Sequence, residues 1–207
     1  MRALVVAASL AFAFPALAQE SPPSTRPTAK LAADFNFLLG TKVLDREEWG
    51  KDLSNQFLTG LETTWGKPSW RVGIAADALF ANAEKRRGTF SEEEVTRGST
   101  LELAVGARAI LPLGRVRPFF GAGAEIAQGD VQVLRRADSD EAHGGGATGW
   151  WAGGGVFGRF GKTANVGLSV RWSTARAKAS GFDNDAGGMV YAVTFGFGIP
   201  PFATGEE

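Results

Sequence analysis

The chain has 207 residues, and its 22 Lys+Arg are balanced by 22 Asp+Glu, so one domain is expected and no net field is available to grip nucleic acid. With no Cys and one His, disulfides, thiolate metal sites and cysteine nucleophiles are excluded, little remains for an imidazole relay, and no cofactor or metal is expected. Its 28 Gly and 15 Phe beside 2 Met and 1 Tyr are unusual for a helical core.

Met1 and Arg2 precede an apolar run from Ala3 to Phe14 and the small-residue site Pro15-Ala16-Leu17-Ala18-Gln19. This is the pattern of a cleaved signal peptide over residues 1–18, since the run is shorter than the roughly 20 residues a spanning helix needs. Residues 19–30 place Pro22, Pro23 and Pro27 among Ser and Thr, the composition of a flexible periplasmic leader.

From Leu31 to Ile199 apolar residues recur at every second position in eight stretches, the strand period and not the helical one. The first carries Leu31, Ala33, Phe35, Phe37 and Leu39, and the second Phe57, Thr59, Leu61, Thr63 and Trp65. The third is the clearest: Trp70, Val72, Ile74, Ala76, Ala78 and Phe80 alternate with Arg71, Gly73, Ala75, Asp77 and Leu79. The fourth and fifth set Leu101 to Ala109 and Pro118 to Ile126 against faces holding Glu102, Arg108, Arg117 and Glu125. Ala152 to Phe160, Val166 to Trp172 and Met189 to Ile199 complete the series.

Every charge on these strands lies on one side: Asp34, Glu62, Asp77, Glu102 and Glu125 with Arg71, Arg108, Arg117, Arg159 and Arg171. Hydrocarbon cannot wet a charged surface cheaply, and a closed barrel leaves no backbone edge unpaired in lipid. The pattern therefore predicts an all-β, eight-stranded antiparallel up-and-down transmembrane β-barrel over residues 31–199, apolar face outward and charges in the lumen. A soluble barrel would reverse the two faces.

The connections alternate in length. Gly66–Ser69, Ile110–Arg115 and Gly161–Thr163 are short, whereas Val43–Asn55, Asn82–Gly98, Gln128–Gly149 and Ala175–Gly187 are long and polar, as periplasmic turns and external loops would be. Trp65, Trp70, Phe160 and Phe197 fall beside the short turns and Phe80, Trp150 and Trp172 beside the long ones, two expected aromatic girdles.

The segments Arg117-Pro118-Phe119-Phe120-Gly121-Ala122-Gly123-Ala124-Glu125 and Gly188 to Phe197 resemble the small outer-membrane β-barrel family of Gram-negative bacteria, which includes the OmpA-type and OmpX-like barrels. The resemblance covers Leu31 to Ile199 and implies integral outer-membrane location and insertion by the barrel-assembly machinery. Family members usually end on an aromatic residue; here Phe197 is followed by a tail, residues 200–207.

Eight strands enclose an interior about wide enough for side chains alone. Counting from the short turns places Arg71, Arg108, Arg117 and Arg159 in a periplasmic layer, Asp34 and Glu62 just above, and Asp77, Glu102 and Glu125 level with Arg171. The expected function is a non-enzymatic, monomeric barrel with a charge-paired, porin-like lumen and a structural or loop-mediated surface role. A small gated channel is the alternative, and a lipid-modifying enzyme a distant one, because the only imidazole, His143, sits in the flexible stretch Glu141 to Gly146. The basic loop clusters Lys85-Arg86-Arg87 and Arg135-Arg136 suit outer-membrane lipid and lipopolysaccharide phosphates, the acidic Glu92-Glu93-Glu94 would share divalent cations with them, and the loops also suit an extracellular surface ligand as partner.

Overall fold

The computed structural model describes residues 31–87, 94–135, 138–140, 145–161, 163–179 and 182–199. The expected signal segment 1–18, leader 19–30 and tail 200–207, together with His143, lie outside the described residues. In chain order the elements are β1 (Ala32–Val43), α1 (Arg46–Leu53), β2 (Asn55–Gly66), β3 (Val72–Arg87), β4 (Glu94–Ile110), β5 (Val116–Arg135), β6 (Asp138–Asp140), β7 (Gly145–Phe160), β8 (Ala164–Ala179), β9 (Phe182–Asp185) and β10 (Gly188–Gly198).

Eight of the strands pair antiparallel in sequence order, and β10 closes onto β1 with Phe35 opposite Phe197 and Val43 opposite Met189. The short β6 and β9 extend β5 and β8 and stand outside the ring. Closure satisfies the edges that an open sheet would leave bare. At the periplasmic end the hairpins are tight: the Trp70 amide donates to the Lys67 carbonyl, and Gly114 and Gly161 take φ values of 65° and 61° that favour glycine.

Alternation fixes the two faces. Val72 is 53% and Leu103 47% exposed, while Glu102 and Arg171 retain 1% and 3%. The apolar residues thus face outward and the charged ones inward, which rejects the soluble alternative.

Two expectations about the external side need correction. The connections Asn82–Gly98 and Gln128–Gly149 are mostly strand, since β3 and β4 stay paired out to Arg87 opposite Glu94, and β5 and β7 out to Gly129 opposite Gly145. Above the bilayer both faces of a strand meet polar surroundings, so alternation fades although the backbone ladder continues. The first connection also contains α1, which polarity alone did not announce. Asp45 caps it by accepting from the Glu47 amide at 2.8 Å, Glu47 and Glu48 occupy its first turn, and Gly50 (φ 73°) interrupts it. Its Trp49 and Leu53 pack with Leu44 against Ala83 and Val131, on the inner side of β3 and β5.

Candidate functional site: a charged lumen beneath an external cap

The inward positions of the eight strands converge on the axis, where charge is arranged in levels. At the periplasmic end Arg159 Nη2 lies 3.3 Å from Asp34 Oδ1, its Nε donates to Asn165 Oδ1, and Arg117 is buried at the same end. Phe119 and Phe157, 5.8 Å between ring centroids, join Ala32 and Ile110 in an apolar cluster across the lumen.

Arg108 stands over Phe119, and its Nη2 donates to both oxygens of Asp77 at 3.1 and 2.9 Å; its Nη1 donates to Thr64 Oγ1, and Glu62 Oε1 lies 3.5 Å from Nη2. Arg171 Nη1 shares Asp77 Oδ2 with Arg108, at 3.3 Å, and its Nη2 reaches Glu125 at 2.7 Å and Glu102 at 3.4 Å. The Trp151 ring lies beneath the Arg171 guanidinium at 4.7 Å, in space left by Gly121, where an added Cβ would meet the indole at 3.0 Å. At the external end Lys42 Nζ bonds Glu102 Oε1 at 2.5 Å, Thr100 Oγ1 at 3.1 Å and the Ala186 carbonyl at 2.5 Å. Above it Trp49 Nε1 donates to the Asp185 carbonyl at 2.9 Å, so α1 and the chain entering β10 form the cap.

Of the ten residues expected in the lumen, nine are buried there, and Arg71 is not. Arg71 is exposed and belongs to the turn before β3; its carbonyl accepts from the Ile110 amide, and inward–outward parity does not extend into a turn. Among the described residues the fifth buried cation is Lys42, so five buried acids face Lys42, Arg108, Arg117, Arg159 and Arg171. Lys42 was legible in principle, because it continues the even-numbered face of β1 beyond Leu38. Trp151 similarly shares parity with Gly153 and Arg159. The expected periplasmic layer is also divided: Arg108 leans toward Asp77 and away from Arg117 and Arg159.

Outside, Trp70, Phe160 and Phe197 are exposed near the short turns, with Trp65 half-buried and edge-on to Phe35 at 5.2 Å. Phe80, Trp150 and Trp172 are exposed at the other end, the two indoles edge to face at 4.8 Å. Farther out, Glu84 accepts from Arg86 Nε at 2.7 Å and Arg97 Nε at 2.8 Å, and these hydrogen bonds hold its carboxyl below the usual range. Lys85 pairs with Asp52 and ties the end of α1 to β3.

The family model for the outer membrane protein beta-barrel domain matches residues 4–199. The chain belongs to that family. Its closed ring resembles the crystal structure of Ail, the attachment invasion locus protein of Yersinia pestis in complex with the heparin analogue sucrose octasulfate. That likeness has a TM-score of 0.55 at 12% identity and covers 83% of this chain and all (100%) of Ail. Neisserial surface protein A is similar at a TM-score of 0.51 and 10% identity, over 84% of this chain and 99% of that one. At these identities the likeness concerns the fold. No curated protein matches the chain. This outer membrane beta-barrel is therefore an integral outer-membrane protein of the Gram-negative type, crossing with the closed ring of strands.

Proposed function

We propose that this protein is a non-conducting, non-enzymatic barrel whose lumen is a structural strut and whose work is done at its external end. The observation that carries the proposal is the filled axis. From Asp34–Arg159 through Phe119–Phe157, Arg108–Asp77 and Arg171–Glu125 to Lys42–Glu102, side chains of opposite charge or aromatic rings occupy successive levels, and α1 covers the mouth. Buried charges held in such pairs favour one closed geometry over alternatives. The two aromatic bands set the depth of the barrel in the bilayer.

The external extensions of β3, β4 and β5 then hold charged segments clear of the membrane on a stiff ladder. A polyanionic surface ligand is the class that Arg86 and Arg97 suit, and Ail, of similar fold, is complexed with such a compound. Residues 1–18 direct export and are removed, 19–30 and 200–207 remain as periplasmic segments, and the barrel-assembly machinery inserts a monomer.

Planar-bilayer recording of the purified chain tests the strut: no discrete conductance steps are expected. Steps abolished or resized by Glu102→Gln would replace this function with that of a narrow channel.

A further inference from the structure

The short turns carry a charge imbalance that the lumen does not explain. Lys67 and Arg71 lie in the turn between β2 and β3 and Arg115 in the turn between β4 and β5, and all three are exposed. With the buried Arg117 and Arg159, these make five cations at the periplasmic end of the described residues. They stand against one carboxylate, Asp34, which lies 3.3 Å from Arg159 inside the barrel. At the external end Lys42, Lys85 and Arg97 each meet a carboxylate, whereas Lys67, Arg71 and Arg115 meet none among the described residues.

Backbone bonds fix where these cations stand. The Arg71 carbonyl accepts from the Ile110 amide at 2.7 Å, and the Arg115 carbonyl accepts from the Arg159 amide at 2.8 Å. Each arginine thus continues a ladder one residue past its last pair, Val72 with Ala109 or Val116 with Gly158, while its side chain stays in water. Arg71 directly follows Trp70, Arg115 is level with Arg159 beside Phe160, and Lys67 Nζ lies 5.4 Å from the centre of the Trp70 ring. All three cations therefore stand at the depth of the periplasmic aromatic girdle, where lipid headgroups meet hydrocarbon. Exposed Trp70, Val72, Leu113, Val116 and Phe160 border them with apolar surface that acyl chains cover.

We infer that the β2 to β7 side of the periplasmic rim binds an anionic glycerophospholipid of the inner leaflet, with its phosphates on Lys67, Arg71 and Arg115. Charge complementarity selects this occupant. The field of the rim attracts phosphate and repels the ammonium of a zwitterionic headgroup, and a guanidinium fork matches phosphate oxygens. Strands β3 and β5 are two spacings apart, about 10 Å, so two phosphates joined through one glycerol reach both Arg71 and Arg115, which favours a two-phosphate lipid over a one-phosphate lipid. The inference rests on the outer-membrane placement with the short turns in the periplasm, and not on the role of the external end, so failure to bind an external ligand leaves it standing.

The test uses the full chain purified in detergent and native mass spectrometry, with cardiolipin, phosphatidylglycerol and phosphatidylethanolamine titrated separately. Retention is expected in that order, cardiolipin being held about tenfold or more tighter than phosphatidylethanolamine, the scale of one charge-assisted bond. K67Q/R71Q/R115Q should remove that preference. Arg97→Gln, which neutralises an exposed cation at the external end, should leave it intact, and heat-modifiable migration verifies that each variant is folded. Equal retention of the three lipids by the wild-type chain, or an unchanged preference in the triple variant, would overturn the site. Equally tight binding of the deacylated cardiolipin headgroup would also overturn it and assign the rim to a soluble periplasmic anion.

Discussion

Lys42 Nζ lies 2.5 Å from Glu102 Oε1, a pair from strands β1 and β4 that meet across the barrel at its external end. The same ammonium bonds the Ala186 carbonyl just before β10, so a single buried cation joins the first strand, the fourth and the cap. An ammonium there is tolerated only because three acceptors replace its water.

Lys42→Met should therefore destabilise the barrel by about 3–5 kcal/mol, the cost of stranding a buried partner. Urea unfolding in lipid vesicles measures it. Lys42→Met combined with Glu102→Gln should recover part of the loss; no difference between single and double variants would mean the two groups do not interact.

Arg108 Nη2 donates to both oxygens of Asp77, and a double-mutant cycle with Arg108→Met and Asp77→Asn should give a coupling of roughly 0.5–3 kcal/mol. Arg71 provides the contrast. Being exposed in a turn, Arg71→Gln should shift stability by no more than about 0.5 kcal/mol. A large effect there would return Arg71 to the interior.

Trp49→Ala removes the ring that fills the cap and the bond to the Asp185 carbonyl, yet touches no membrane-spanning pair. Amide exchange should accelerate over residues 44–54 and around Ala186 while β3 to β8 keep their protection. Loss of protection throughout would show the cap to be part of the cooperative unit.

Glu84 titrates below its ordinary value because Arg86 and Arg97 donate to its charged form. A carboxyl depressed in the folded state contributes its stabilisation above the unfolded-state value and loses it as pH falls through the folded one. Carboxyl NMR should place its midpoint below that of a free Glu at low salt, and Arg97→Gln should raise it. An unchanged midpoint in that variant would show that the Arg97–Glu84 hydrogen bond does not persist in solution.

Much of this was legible in the sequence because lipid imposes a strict rule: strands such as Leu101 to Ala109 cannot hide a charge on the outer face, so period and polarity report orientation directly. Legibility fails where that rule lapses. Above the membrane, Asn82 to Arg87 alternates weakly although it is strand, and at a turn Arg71 lost the parity that placed Arg108 correctly. Trp151 and Lys42 lay hidden for a related reason: each is an inward residue beyond the point where its apolar alternation stops. The helix α1 is held by contacts distant in sequence, with Gly129 and Asp185, that no local pattern contains.

The continuation of β3 past the bilayer sets a standoff height. From Phe80, the last outward aromatic on that strand, to Arg87 is seven residues of paired backbone, which at ~3.3 Å each and a tilt of ~40° lifts Arg87 roughly 18 Å. A ligand meeting the strand ends at that height would do so amid or above the inner sugars of the glycolipid coat, so shortening the coat should improve access from outside without altering Arg87 or Glu94.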